Sequence, residues 1–112
     1  MAVSTERWRN ATLTIANAGT ETDELDLQLN GARRQMVMSI LAPSALTGTV
    51  KVQVAEKAGG TYRDLQSGGS DVNVTAGNSV TIDPLIGGAM KLVSSGAEGA
   101  ERAFHLRGNA KS

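Results

Sequence analysis

Alternation with period two constrains this chain more than any other feature. In Leu25-Asp26-Leu27-Gln28-Leu29-Asn30 every odd position is leucine and every even one is polar, and Val50-Lys51-Val52-Gln53-Val54 repeats the pattern with valine. Successive side chains of an extended chain point to opposite faces, so each run presents one apolar and one polar side, as a half-buried strand does. Shorter versions occur at Thr12-Leu13-Thr14-Ile15, reaching back toward Trp8, and at Val72-Asn73-Val74, Val80-Thr81-Ile82, Met90-Lys91-Leu92 and Phe104-His105-Leu106-Arg107. Met36-Val37-Met38-Ser39-Ile40-Leu41 is nearly continuous in apolar character. Met36, Met38 and Ile40 share one side of it and Val37 and Leu41 the other, which predicts a central strand covered on both faces. The run is short for a helix, and Pro43 closes it.

Turn residues separate the runs: Asn17-Ala18-Gly19, Asn30-Gly31, Pro43-Ser44, Gly59-Gly60, Gly68-Gly69, Gly77-Asn78, Asp83-Pro84 with Gly87-Gly88, and Gly96 through Gly99. Asn30-Gly31 has the residues a tight hairpin needs at positive φ. Ala97-Glu98-Gly99-Ala100-Glu101-Arg102 is the one helical candidate, but it holds a glycine and is too short to stand alone, so a loop is expected. Eight or so short strands in a chain of 112 residues cannot bury their apolar sides as one flat sheet. Two packed sheets or a closed barrel is the physical solution, in a single domain spanning residues 1–112. A short N-terminal arm over residues 1–6 and a frayed tail over residues 108–112 are expected at the ends.

Composition removes several function classes. Lys plus Arg equals Asp plus Glu at 11 each, so no summed field draws the protein to nucleic acid or to an anionic membrane. There is no cysteine, hence no disulfide framework, thiolate zinc site or thiol nucleophile. No apolar stretch approaches the roughly 18 residues a membrane helix needs. The start, Met1-Ala2-Val3-Ser4-Thr5-Glu6-Arg7, lacks the basic and apolar regions of a signal peptide, which predicts a soluble protein made in the cytoplasm. Trp8, Tyr62 and Phe104 are the only aromatic residues. The core must therefore come from Leu, Val, Ile, Met and Ala, without the roughly 150–250 Å² that each ring supplies, and oligomerisation is a common remedy for a core so made.

The search for chemistry yields no catalytic constellation, so no enzyme and no cofactor are expected. His105 is the sole histidine, which rules out a multi-histidine metal site, and its alternation with Phe104 and Leu106 places it on an outer strand face. No Gly-x-Ser-x-Gly elbow is present. Glu21, Asp23, Glu24 and Asp26 cluster in sequence but match no calcium loop and read as a solvated strand face and turn. Gly87-Gly88 and Gly96-Ala97-Glu98-Gly99 neither open a helix nor lead into Gly-Lys-Ser/Thr, so they are turns and no phosphate cradle. Arg33-Arg34, with Arg7 and Arg9, face too few aromatic residues to form a platform for single strands. Trp8, flanked by Arg7 and Arg9, either caps one end of the packed sheets or anchors an N-terminal arm on a partner, Trp and Arg being enriched in interface hot spots. Arg7, Trp8, Arg9 and His105 are the candidate interface residues.

From residue 36 to residue 108 the chain resembles small β-sandwich virion proteins of tailed bacteriophages. The likeness is carried by Val50-Lys51-Val52-Gln53-Val54, Gly60-Thr61-Tyr62-Arg63-Asp64-Leu65, Val72-Asn73-Val74, Asp83-Pro84-Leu85, Met90-Lys91-Leu92-Val93-Ser94-Ser95-Gly96 and Glu101-Arg102-Ala103-Phe104-His105-Leu106. The family's aromatic positions are here Ala45-Leu46 and Ile86-Gly87. The resemblance implies an all-β, antiparallel, jelly-roll-like sandwich and a virion structural protein. Such a protein would be a head decoration or cement protein on the capsid surface, a homotrimer or dimer bound to the major capsid protein. A carbohydrate-binding sandwich module and a tail or neck adaptor are the rival expectations.

Overall fold

Each alternating run keeps its apolar side dry only by lying against another such side, and that requirement accounts for the architecture. A computed structural model of the chain describes residues 8–27, 36–85 and 88–110. In chain order the strands are β1 (Trp8–Ile15), β2 (Leu25–Asp26), β3 (Met36–Leu41), β4 (Val50–Ala55), β5 (Arg63–Asp64), β6 (Gln66–Ser67), β7 (Ser70–Asp71), β8 (Asn73–Val74), β9 (Ser79–Leu85), β10 (Ala89–Ser94) and β11 (Arg102–Ala110). All named pairings are antiparallel, and the described residues contain no helix. One sheet has four strands in the order β1-β11-β3-β9; the other has five, in the order β2-β10-β4-β5, with β8 also paired to β4. The chain is thus all-β, built on antiparallel sheets.

The inner sides of the two sheets share one core. Leu13, Ile15, Met38, Ile40, Ile82, Leu85, Phe104 and Leu106 from the four-stranded sheet join Val50, Val52, Met90 and Leu92 from the five-stranded one, together with Leu27, Val72 and Val74. These are the apolar members of the alternating runs. Burying one such side chain is worth roughly 1.5–3 kcal/mol, so the cluster supplies the main drive for folding. Phe104 is fully buried and is the only ring in this cluster.

The strand beside β4 is interrupted. Arg63 and Asp64 lie opposite Val54 and Gln53, and Asn73 and Val74 lie opposite Lys51 and Val50. Between them residues 65–72 leave the sheet as the β6–β7 hairpin. Both of its feet rest on one residue: Leu65 donates its N–H to the Val52 carbonyl (2.9 Å), and Val52 donates to the Val72 carbonyl (3.1 Å). Val72 also donates to the Leu65 carbonyl (3.0 Å), which closes the neck. At the tip, Gly68 and Gly69 take φ of 63° and 87°, the two successive positive values that a tight hairpin turn demands and that glycine adopts without strain. Four two-residue strands thus occupy the place of one edge strand, which is why eleven strands appear where alternation predicts about eight.

Two expectations are corrected. β3 is central in its sheet, with β11 and β9 on either side, but only its Met38 and Ile40 side is covered. Leu41 is 48% exposed and Val37 is half-buried, because no described element packs on the outer side of this sheet. The C-terminal stretch from residue 108 is strand rather than frayed tail as far as Ala110. Asn109 pairs with both Trp8 and Val37, and Ala110 with Met36, so the backbone there is held on two sides down to the last pair. The Asn30-Gly31 hairpin and Leu29 lie outside the described residues.

Candidate interaction face

The outer side of the four-stranded sheet carries His105, the one predicted site residue whose side-chain exposure is described. Register places Thr12, His105, Leu41 and Ser79 in one row across the four strands, and Asn10, Arg107, Ser39 and Thr81 in the next. The rows are tied laterally: Thr12 Oγ1 and His105 Nδ1 are 3.3 Å apart, and Ser39 Oγ and Thr81 Oγ1 are 3.0 Å apart. Leu41 is the one large hydrophobic residue exposed among the described residues. It borders a shallow depression of about 530 Å³ with Asn10, Thr12, His105 and Arg107. The lining thus joins one exposed apolar side chain to hydroxyl, amide, imidazole and guanidinium groups, the mixture found at protein interfaces.

Of the candidate interface residues, His105 is exposed on this face. Trp8 and Arg9 open β1, in register with Asn109 and Gly108, so both belong to the sheet backbone rather than to an arm. Arg7 lies outside the described residues. Leu41 went unremarked as a surface residue because a leucine in an apolar run carries no sign of which side the fold leaves bare.

Beyond the Arg102 end of β11 the loops enclose the most fully hydrogen-bonded polar group, a buried carboxylate. Glu98 is 1% exposed. Its Oε1 accepts from the Thr47 N–H (2.7 Å) and Arg102 Nε (2.9 Å); its Oε2 accepts from the Gly48 N–H (2.8 Å) and lies 2.7 Å from Ser94 Oγ. The Glu98 backbone closes a third loop, since Ala18 donates to its carbonyl (2.7 Å) and its own N–H goes to Gly19 (3.0 Å). Burial by itself pushes the Glu98 carboxyl up, but the two N–H groups, the Ser94 hydroxyl and the Arg102 guanidinium outweigh it and bring the pKa down to about 2. With all its acceptor positions filled by the protein, this carboxylate fastens loops and offers nothing to a substrate. The glycine-rich stretch around it is a turn, as expected.

The acidic stretch 21–26 is likewise engaged. Glu24 Oε1 accepts from the Tyr62 hydroxyl (2.6 Å) and the Gly59 N–H (2.9 Å), which hold its carboxyl below the ordinary value. Burial, and then the same hydrogen bond, pushes the Tyr62 phenol up. Lys91 Nζ stands 4.6 Å from the Tyr62 ring centre and 2.8 Å from Glu21 Oε1. Among the described residues no group of three or more His, Asp or Glu is placed to hold a metal ion.

No protein-family model, curated protein or solved structure matches the chain.

Proposed function

We propose that this chain is a non-enzymatic structural protein of a bacteriophage virion, a head decoration protein with a jelly-roll-like sandwich that acts as a homo-oligomer on the capsid. The observation that carries the reading is the order of strand pairing. With β5 to β8 counted as one interrupted edge strand, the first strand pairs with the eighth (β1 with β11), the second with the seventh (β2 with β10), the third with the sixth (β3 with β9) and the fourth with the fifth (β4 with β5 and β8). Such wrapping is that of a long hairpin rolled over itself, and jelly rolls are frequent in viral capsid and lectin domains. The step from that wrapping to the virion is an analogy of fold. The face around Leu41 and His105 adds a docking surface suited to a capsid subunit.

Two of the three rings, Phe104 and Tyr62, argue against a sugar-binding role. Phe104 is fully buried, and Lys91 and Glu24 occupy the ring face and hydroxyl of Tyr62, so neither offers a free stacking surface.

The test is co-sedimentation of the purified protein with expanded capsids assembled from the major capsid protein of the same virion. Saturable binding is expected, weakened by Leu41→Asp without loss of the β-sheet circular dichroism. A folded protein that stays in the supernatant at every concentration sinks the proposal.

A further inference from the structure

The four lateral edges of the two sheets differ in one respect. β9 carries a bulge where Asp83 and Pro84 together face Val37, and proline has no N–H to offer a neighbour. The edge beside β4 is cut into two-residue pieces by the projecting hairpin. On the far side of the five-stranded sheet, β2 pairs with β10 for only two residues, joined by a single bridge at Glu21, and the segment bears Glu21, Asp23, Glu24 and Asp26. Broken pairing, proline and charge are the devices by which proteins prevent edge strands from pairing with strangers. β1 has neither broken pairing nor proline, and its one charged residue, Arg9, lies at its start. It runs for eight residues in unbroken register with β11, holds no glycine or proline, and has no bulge. Among the described residues no strand pairs with its other edge. In an antiparallel ladder every second residue turns its N–H and C=O to that edge, so half of the β1 amides have no strand partner there among the described residues.

We propose that two copies of this chain join edge to edge through β1, antiparallel about a two-fold axis beside Thr12, so that two four-stranded sheets become one sheet of eight. The partner is a second copy because this edge complements itself. A sheet that continues with the same side facing the core must pair positions of equal parity. With the axis at Thr12, that residue faces Thr12 of the second copy, Asn10 faces Thr14, and Ala11 faces Leu13: small polar pairs outside and apolar pairs inside. Between Asn10 and Ile15 the strand has no charged residue, so self-pairing opposes no like charges, while the two Arg9 positions stand about 20 Å apart along the strands. An isologous contact of this kind closes at two and leaves no edge for growth. The outer row through Thr12, His105 and Leu41 then runs on into the second copy as one surface. The inference gives a geometry to the homo-oligomer of the proposed function, but it rests on the strand edge alone, and its test uses no capsid, so either can fail without the other.

Sedimentation velocity of the wild-type chain at about 50 µM should give a dimer. Thr12→Lys and Thr12→Glu, each placing like charges across the axis, should raise the dissociation constant by about tenfold or more, and an equimolar mixture of the two variants should restore dimers to near the wild-type level. Thr12 is exposed, so both variants should keep the wild-type circular dichroism. Hydrogen exchange of the wild type supplies a second reading without substitution: alternate amides of β1 should lose protection on dilution while those bonded to β11 keep it. A wild-type monomer, a trimer, charged variants that dimerise as well as the wild type, a mixture that does not recover, or β1 protection independent of concentration would each overturn the proposal.

Discussion

The Arg102–Glu98 pair and the Lys51–Asp64–Asp71 group bring together the same kinds of charge at similar range, 2.9 Å in the first and 3.4 and 3.0 Å in the second. Their surroundings differ. Glu98 has no exposed side-chain surface, whereas Lys51 and Asp64 are each 36% exposed and Asp71 29%. Around Glu98 both carboxylate oxygens accept twice, and two of the four donors are backbone N–H groups of a loop some fifty residues away. Lys51 meets only side chains, with Gln53 on Asp64 (2.9 Å) and Gln66 on Asp71 (2.8 Å) completing the group. Those contacts raise the lysine pKa, first through Asp71 and then Asp64, and Gln66 and then Lys51 lower that of Asp71, but water screens the charges. A charge pair contributes to stability in proportion to what its removal leaves unpaired and dry, not to its distance.

Replacement of Glu98 tests this most severely. Glu98→Ala takes the acceptor from two part-buried N–H groups and leaves Ser94 and Arg102 with only Gly96 and Thr47 as partners, and should cost on the order of 3 kcal/mol in urea unfolding. Glu98→Gln should recover only part of that loss, because its NH₂ faces two donors at the Oε1 position and the Gly48 N–H at the Oε2 position, where only the Ser94 hydroxyl can turn to accept. Gly48→Ala should cost about 1–3 kcal/mol, since its Cβ would collide with Ser94 Oγ and lie 2.9 Å from Ser95 Oγ. A near-wild-type melt for either variant would show that the loops at this end are not fastened as the contacts imply.

Acid provides a third test of the same contrast. The folded carboxyl of Glu98 titrates near 2, below its ordinary value of 4.5, so its contribution is complete above 4.5 and fades as pH falls from there toward 2. Wild-type stability should drop through that interval, and Glu98→Ala should flatten this part of the curve. Lys51→Ala marks the smallest effect: a melt indistinguishable from the wild type in physiological salt. A loss comparable to that of Glu98→Ala would mean that the exposed group fastens the hairpin far more strongly than its solvent contact allows.

The same contrast separates what the sequence discloses from what it conceals. Val50 and Val52, Leu13 and Ile15, and Met90 and Leu92 announce their burial by alternation alone, because period two is local and the fold has only to stack one apolar side on another. The Gly68-Gly69 turn is equally plain. Glu98 is silent: between Gly96 and Arg102 it reads as a surface loop residue, and nothing near it in sequence signals that Thr47 and Gly48 will supply its donors. The splitting of one edge strand at Val52 is concealed for a related reason, since Leu65 and Val72 meet there only after the intervening residues have left the sheet. Leu41 shows the converse error, an apolar run read as covered on both sides when the neighbours exist on one. The outer face on which Thr12, His105 and Leu41 align was legible only in part, as an outward His105, because register across strands is a tertiary fact.

Because the hairpin departs from and returns to a single residue, Val52, the ladder on either side keeps its alignment whatever number of residues lies between Leu65 and Val72. Longer tips there add only the slowly growing entropy of a wider loop. The molecule thereby has a place where foreign sequence of variable length can be displayed while the remaining strands retain their alignment.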